Sequence, residues 1–229
     1  MASGFTVIGL AFLAGRLRPD LHPAPSSLYL ALVTAQNVKA INASAATDEG
    51  SGRVGIPVTS HGYATGDHVV IEGTTNYDGA YLVHATSTAS KVVITTTYIA
   101  ETFTGSSSIH KQPGPKTQVL SDLNQIAIGN GYPSGGLEIT LDSTGVPTFS
   151  LTSTAPFRFY FRIQNTDFVA DGGTLPASGL GARYAVLLDD NVVPADRVVI
   201  GYYDLVAARS VSDTQKIGVY GAELEYVWR

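Results

Sequence analysis

The run Phe157-Arg158-Phe159-Tyr160-Phe161-Arg162-Ile163-Gln164 alternates without a break. Phe157, Phe159, Phe161 and Ile163 take one face, and Arg158, Tyr160, Arg162 and Gln164 take the other. A period of two places apolar residues on one side of a pleated strand, so this run demands a sheet with one face on a core. Similar runs recur along the chain: "DHVVIEG", "AYLVHAT", "KVVITTTY", "LEITLD", "VPTFSLT", "ARYAVLLD", "VVIGYYDL" and "KIGVYGAELEYVW". In the later part of the chain they are separated by about 8–12 residues or slightly more, the spacing of a β-sandwich or jelly roll. In "SSLYLALVT", Leu28, Leu30 and Leu32 alternate with Tyr29, Ala31 and Val33. Both faces are apolar, which predicts a strand covered on both sides. The runs "LEITLD" and "VPTFSLT" flank Asp142-Ser143-Thr144-Gly145 and read as a hairpin. Gly218 and Gly221 in the last run point to a bulge or a close backbone approach.

Two stretches read as helices. In residues 3–18, Phe5, Ile8, Phe12 and Leu13 recur near helical spacing, Ser3 can cap the start, and Pro19, Pro23 and Pro25 forbid continuation. The apolar run from Phe5 to Ala14 has no basic residue before it and is too short to span a bilayer, so it reads as a core-packed helix. In "LSDLNQIAIGNGY", Ser121 is the expected N-cap; Leu120, Leu123, Ile126 and Ala127 share a helical face; Gly129 and Gly131 end it.

Residues 35–52, small and polar without a period, read as a linker, and Lys111–Thr117 as a second one rich in Pro and Gly. The expected fold is therefore mainly β: a jelly-roll or β-sandwich domain with one N-terminal and one internal helix. Residues 1–46 and 112–229 form this discontinuous domain, and residues 47–111 an inserted small β-barrel or Ig-like module.

Charge and chemistry narrow the function. Charged residues make up 14% of the 229-residue chain, against about 25% in an ordinary soluble domain. Polarity carried by Ser, Thr, Asn and Gly suits a protein packed against neighbours. A net charge of -5 without a basic stripe argues against nucleic acid. With no cysteine there is neither a disulfide framework nor a thiolate metal site. His61, His68, His84 and His110 carry no HxH or HExxH spacing, so no metal is expected. "GNGYPSGG" (129–136) lacks the third glycine and the strand-to-helix setting of a dinucleotide loop. Asp189-Asp190 and Asp142 read as turns rather than as a catalytic carboxylate pair. No GxSxG elbow occurs. Neither a catalytic residue nor a cofactor is expected.

The row Arg158, Tyr160, Arg162 has the residue types of protein interfaces, and also those of a solvated sheet face with cross-strand Arg–Tyr packing. Tyr226 and Trp228 near the chain end read as the closing strand of the core, with an interface as the other use. In "TNYDGAYLV" (75–83), Asp78-Gly79 reads as a hairpin turn and Tyr81, in register with Val83, as core. Asn76 and Tyr77 are left to face outward.

The segment from His61 through Val83, with its HG start, its TGD-x-V-x-I strand and its Tyr-Asp-Gly turn, resembles a β module that recurs in tailed-bacteriophage structural proteins. "SSLYLALVT", "LNQIAIGNGYPSGG" and "RYAVLLDD…VVIGYYDL" resemble virion proteins described as tail-fibre or capsid-decoration components. The resemblance implies a non-enzymatic virion component, assembled in the host bacterial cytoplasm. It implies a homo-oligomer, commonly a trimer, set against the major capsid protein or another virion protein, with no membrane partner. A tail-fibre or baseplate receptor-binding component, or a carbohydrate-binding module taking a host glycan, is the alternative.

Overall fold

A computed structural model describes residues 3–5, 27–114, 116–140, 148–151, 157–162, 165–220 and 223–228. The protein is mainly β, with several antiparallel sheets. Its strands in chain order are β1 (Ser3–Phe5), β2 (Ser27–Val33), β3 (Gln36–Ala40), β4 (Thr47–Asp48), β5 (Arg53–Pro57), β6 (His68–Glu72), β7 (Gly79–Leu82), β8 (Lys91–Thr95) and β9 (Ser108–Lys111). There follow β10 (Leu137–Thr140), β11 (Thr148–Leu151), β12 (Phe157–Arg162), β13 (Thr166–Val169), β14 (Ala182–Leu188), β15 (Val199–Arg209), β16 (Lys216–Val219) and β17 (Glu223–Trp228). Two compact units result, Met1–Thr34 with Pro115–Arg229, and Ala35–Gly114.

The first unit is organised by the five-stranded sheet β1-β15-β14-β2-β10. On one face Leu28, Leu30 and Leu32 of β2 cluster with Ala185 and Leu187 of β14, Phe168 of β13 and Ile217 of β16. On the other, Ala31 and Val33 cluster with Tyr184, Val186, Tyr202, Leu120 and Leu123. The double alternation of β2 is thus satisfied, with a separate core on each face.

The helix expected over "LSDLNQIAIGNGY" (120–132) is absent. Only Leu120–Asp122 makes a single 3-10 turn. Its cap is Asp122, whose carboxylate accepts the N–H groups of Gln118 and Val119 at 2.8 and 3.1 Å, rather than Ser121. The chain then runs extended: Thr34 N–H donates to the Asn124 carbonyl at 2.8 Å, and Ile126 N–H donates to the Leu32 carbonyl at 3.1 Å. Leu120 and Leu123 consequently join one core and Ile126 the other, where a helix would have kept them together. The reason lies in β2. Its pairing with β10 ends at Leu30↔Leu137, and the backbone groups beyond need an extended partner more than a short helix needs its own bonds.

Tyr132 completes this edge. Its buried hydroxyl accepts Leu32 N–H at 2.9 Å and the Gln125 side-chain amide at 2.8 Å. Burial pushes the phenol pKa up to about 12, so the hydroxyl stays neutral. The turn behind it requires glycine at Gly136, which has φ +88°, and where a Cβ would lie 2.3 Å from the Leu30 carbonyl oxygen.

Other expectations are corrected too. Ser3–Phe5 is not the start of a helix; it pairs as β1 with β15, Gly4 opposite Tyr202. Residues 6–18 of that helix lie outside the described residues, as does the turn Asp142–Gly145. The hairpin between "LEITLD" and "VPTFSLT" does not form, because β10 pairs with β2 and β11 with β12. Glycine at Gly218 admits a close approach, with the Tyr220 ring lying where a Cβ would stand.

In the second unit the sheets β3-β9-β6-β7 and β4-β5-β8 enclose one core. Val69, Ile71, Val92 and Ile94 meet there as their alternation requires, with Tyr81 packed against them. Residues 35–52 are not a linker. They supply β3 and β4, and the buried side chains of Ile41 and Ala46. A short edge strand is held by backbone bonds and by a few inward residues, so it leaves no period to read.

Tyr132→Phe removes the acceptor of a buried N–H, and should lower the stability of the first unit by about 1–3 kcal/mol. A urea titration followed by near-UV circular dichroism checks this, and an unchanged midpoint would contradict the role assigned to the hydroxyl.

Candidate functional site

The loop between β6 and β7 carries the outward residues expected from the sequence. The two strands pair from His68↔Leu82 to Ile71↔Gly79, so the hairpin is present. Inside the loop, Asp78 Oδ1 accepts the Thr74 N–H and hydroxyl at 2.7 and 2.8 Å. The Thr74 hydroxyl in turn accepts Tyr77 N–H at 3.0 Å. From outside, the Glu101 carboxylate accepts the N–H groups of Thr75 and Asn76 at 2.7 and 2.9 Å. Two carboxylates therefore hold the tip as a knot.

Tyr77 does not face outward. It is fully buried, tilted against Phe103 with ring centroids 6.2 Å apart, and its hydroxyl is exchanged with the backbone of Ile99. A large aromatic beside an apolar core gains more from burial than a loop tip gains from displaying it. Asn76 remains exposed. The tip thus has no aromatic platform from Tyr77 on which a sugar could stack.

His61, His68 and His110 are buried or half-buried within the second unit. Buried His61 receives Tyr63 N–H on Nδ1 at 2.9 Å and, carrying its proton on Nε2, donates to the Thr88 carbonyl at 2.5 Å. Buried His110 sits 3.7 Å from the Glu72 carboxylate. His68 is half-buried, with its ring 3.1 Å from where a Cβ on Gly114 would stand. Burial lowers its pKa from 6.5, against a weaker upward pull from Asp67. Among the described residues no three His, Cys, Asp or Glu side chains gather as for a metal.

The candidate interface residues lie on the paired strands β12 and β17. In the sheet β11-β12-β17, Arg158 stands opposite Val227, Tyr160 opposite Glu225 and Arg162 opposite Glu223. Tyr226 stands opposite Phe159, and Trp228 opposite Phe157. Cross-strand partners share a face.

Two buried arginines in the first unit escaped sequence reading. Arg183 of β14 pairs with Asp204 of β15 at 3.2 Å, and Asp204 Oδ1 accepts Val206 N–H at 2.7 Å. This carboxylate supports a bulge: β14 and β15 pair at Tyr184↔Asp204 and next at Ala182↔Arg209, and exposed Val206 sits at φ +71°. Such a backbone is unfavourable for a β-branched residue and persists only when the surroundings hold it. Beside the bulge opens a cleft of about 290 Å³ lined by Leu205, Val211, Ile217, Arg209 and Lys216.

Arg197 braces the turn at the opposite end of the same strand pair. It donates to the carbonyls of Asn191 at 3.1 Å and Gly135 at 2.7 Å, and its guanidinium carbon lies 3.3 Å from the Tyr29 ring centroid. Asp189 caps this turn, accepting Asn191 and Val198 N–H at 3.3 and 2.8 Å, which is the turn role read from the sequence. An isolated Arg in a loop carries no pattern, so only folding reveals these braces.

Comparison with protein-family models, with curated proteins and with solved structures gives no match.

Tyr77→Ala should destabilise the second unit by about 3–5 kcal/mol, as for a buried aromatic, whereas Asn76→Ala should stay within about 0.5 kcal/mol. Thermal melts of both variants check the pair of values. His68 sets a pH dependence. Its folded pKa lies below the unfolded value, so the unfolded chain takes up the proton first. Stability of the second unit is full above pH 6.5 and falls as pH drops below it. Melts from pH 7.5 to 5 should show this slope (about pH 6.5 is the onset), reduced in His68→Gln.

Proposed function

We propose that this protein is a non-enzymatic structural component of a tailed-bacteriophage virion, a capsid decoration or cement protein that forms homotrimers on the shell. One observation carries the reading. Register Gln36↔Lys111 joins β3 to β9, so the chain enters and leaves the second unit at neighbouring positions. Such a unit can be inserted into a host domain without parting the host's strands. In this reading residues 35–114 are a swappable Ig-like or small-barrel module, and the first unit is a jelly-roll-like sandwich that assembles.

Further support comes from the surface and the braces. A charged fraction of 14% suits a molecule that buries much of its outside against copies of itself and the major capsid protein. The buried charged groups Arg183, Asp204 and Arg197 hold backbone rather than converge on a cleft. A tail-fibre or baseplate role is the second reading, kept for the exposed tip at Asn76. Quantitative gels of purified virions separate the two: a decoration protein is present in many copies, a fibre protein in few. A copy number matching the fibres, or absence from the virion, would overturn the cement assignment.

A further inference from the structure

The turn joining β14 to β15 ends in an apolar apex. Val192 is 91% exposed and Val193 beside it is exposed too. The apex is nonetheless stiff: the Asn191 side chain accepts Val193 N–H at 3.0 Å, Asp189 caps the turn, and Arg197 fastens it to Gly135. Gly135 is needed there, since a Cβ would stand 2.4 Å from the Arg197 guanidinium. A stiff apolar apex loses little freedom on docking, which favours association. Acidic side chains flank it, Asp189 and Asp190 on one side and Asp196 on the other.

The cleft beside the bulge is its complement. Leu205, Val211 and Ile217 give it apolar walls, and Arg209 and Lys216 give it a basic rim. Lys216 is held by Asp167 at 2.6 Å, whereas Arg209 Nη2 donates to the Leu205 carbonyl at 3.3 Å and leaves its charge toward the rim. Its volume of about 290 Å³ admits a small apolar side chain with its flanks. Apex and cleft cannot meet within one molecule. They lie at opposite ends of β15, and the seven residues from Val199 to Leu205 alone span about 20 Å of stiff strand.

We propose that the apex at Val192 docks into the Leu205–Val211–Ile217 cleft of a second copy of this chain. Head-to-tail contact of this kind joins two different surfaces, and it closes into a ring when the rotation per subunit permits. The acidic flanks of the apex meet the basic rim, which orients the encounter. The inference deepens the proposed function by naming the contact behind its self-association, and it rests on that reading in this respect only.

Two exposed substitutions test it without touching either core. Val192→Asp spoils the apex, and Ser210→Trp fills the cleft from its exposed margin. In sedimentation velocity the unaltered full chain should sediment as an oligomer. Each variant alone should associate more weakly by over about tenfold, with unchanged circular dichroism. An equimolar mixture should then form a dimer and stop, because one intact apex and one intact cleft remain between the two. Variants that still form the full oligomer, or a mixture that stays monomeric, would overturn the contact while leaving self-association through another surface intact. A monomeric unaltered chain would overturn the contact and the trimer together, whereas virion copy number judges the virion role separately.

Discussion

The first unit depends on the completion of one strand edge. β2, like its neighbour β14, feeds a separate buried cluster from each of its two faces. Its backbone can be buried only if every N–H and C=O finds a partner. β14 supplies one side from Tyr29 to Val33. The other side is assembled from three pieces: β10 up to Leu30, the Tyr132 hydroxyl at Leu32, and the extended residues 124–126 beyond. This need sets what surrounds it. It draws residues 120–132 out of a helix, requires glycine where the turn at Gly136 passes over Leu30, and pulls β10 away from its sequence neighbour β11.

The charged groups buried in this unit serve the backbone in the same way. Asp204 holds a valine in a left-handed conformation, and Arg183 neutralises Asp204 in return. Arg197 ties a surface turn to Gly135 and to the Tyr29 ring. Burying ions is favourable only when partners replace the lost water. Here the partners are carbonyls, N–H groups and a ring face, which fix the shape of two loops. A chain with no cysteine and few charges thereby keeps stiff loops at both ends of one strand pair.

How far the sequence could be read depended on the kind of interaction. The strands of the second unit were legible where Val69 and Ile71, or Val92 and Ile94, face one core. β3 and β4 were not, since β3 is defined by backbone bonds to β9 far along the chain and β4, two residues long, is too short to show a period. The helical spacing of Leu120, Leu123 and Ile126 was real, but an extended segment crossing the end of a two-faced sheet buries the same residues in two cores. At the loop tip the hairpin was legible but its turn was not, since Gly79 already lies in β7 opposite Ile71, and Tyr77 turned inward against Phe103, which the local sequence does not announce. Arg158, Tyr160 and Arg162 share a face by their period alone. Their pairing opposite the strand that carries Tyr226 and Trp228 follows from the β12–β17 register.

By itself, then, the sequence determined the β class, the face each strand residue takes, the double burial of β2 and the lack of a recognisable catalytic or metal pattern. These are local properties, written in periods of two and in residue type. Only the tertiary structure decided which strands pair, where the second unit begins, which side of the loop tip Tyr77 takes, and how an exposed valine apex and a basic-rimmed cleft come to lie at opposite ends of β15. Those outcomes turn on which distant chain satisfies an unpaired edge or a buried charge, and that choice is made by contacts between residues far apart in the chain.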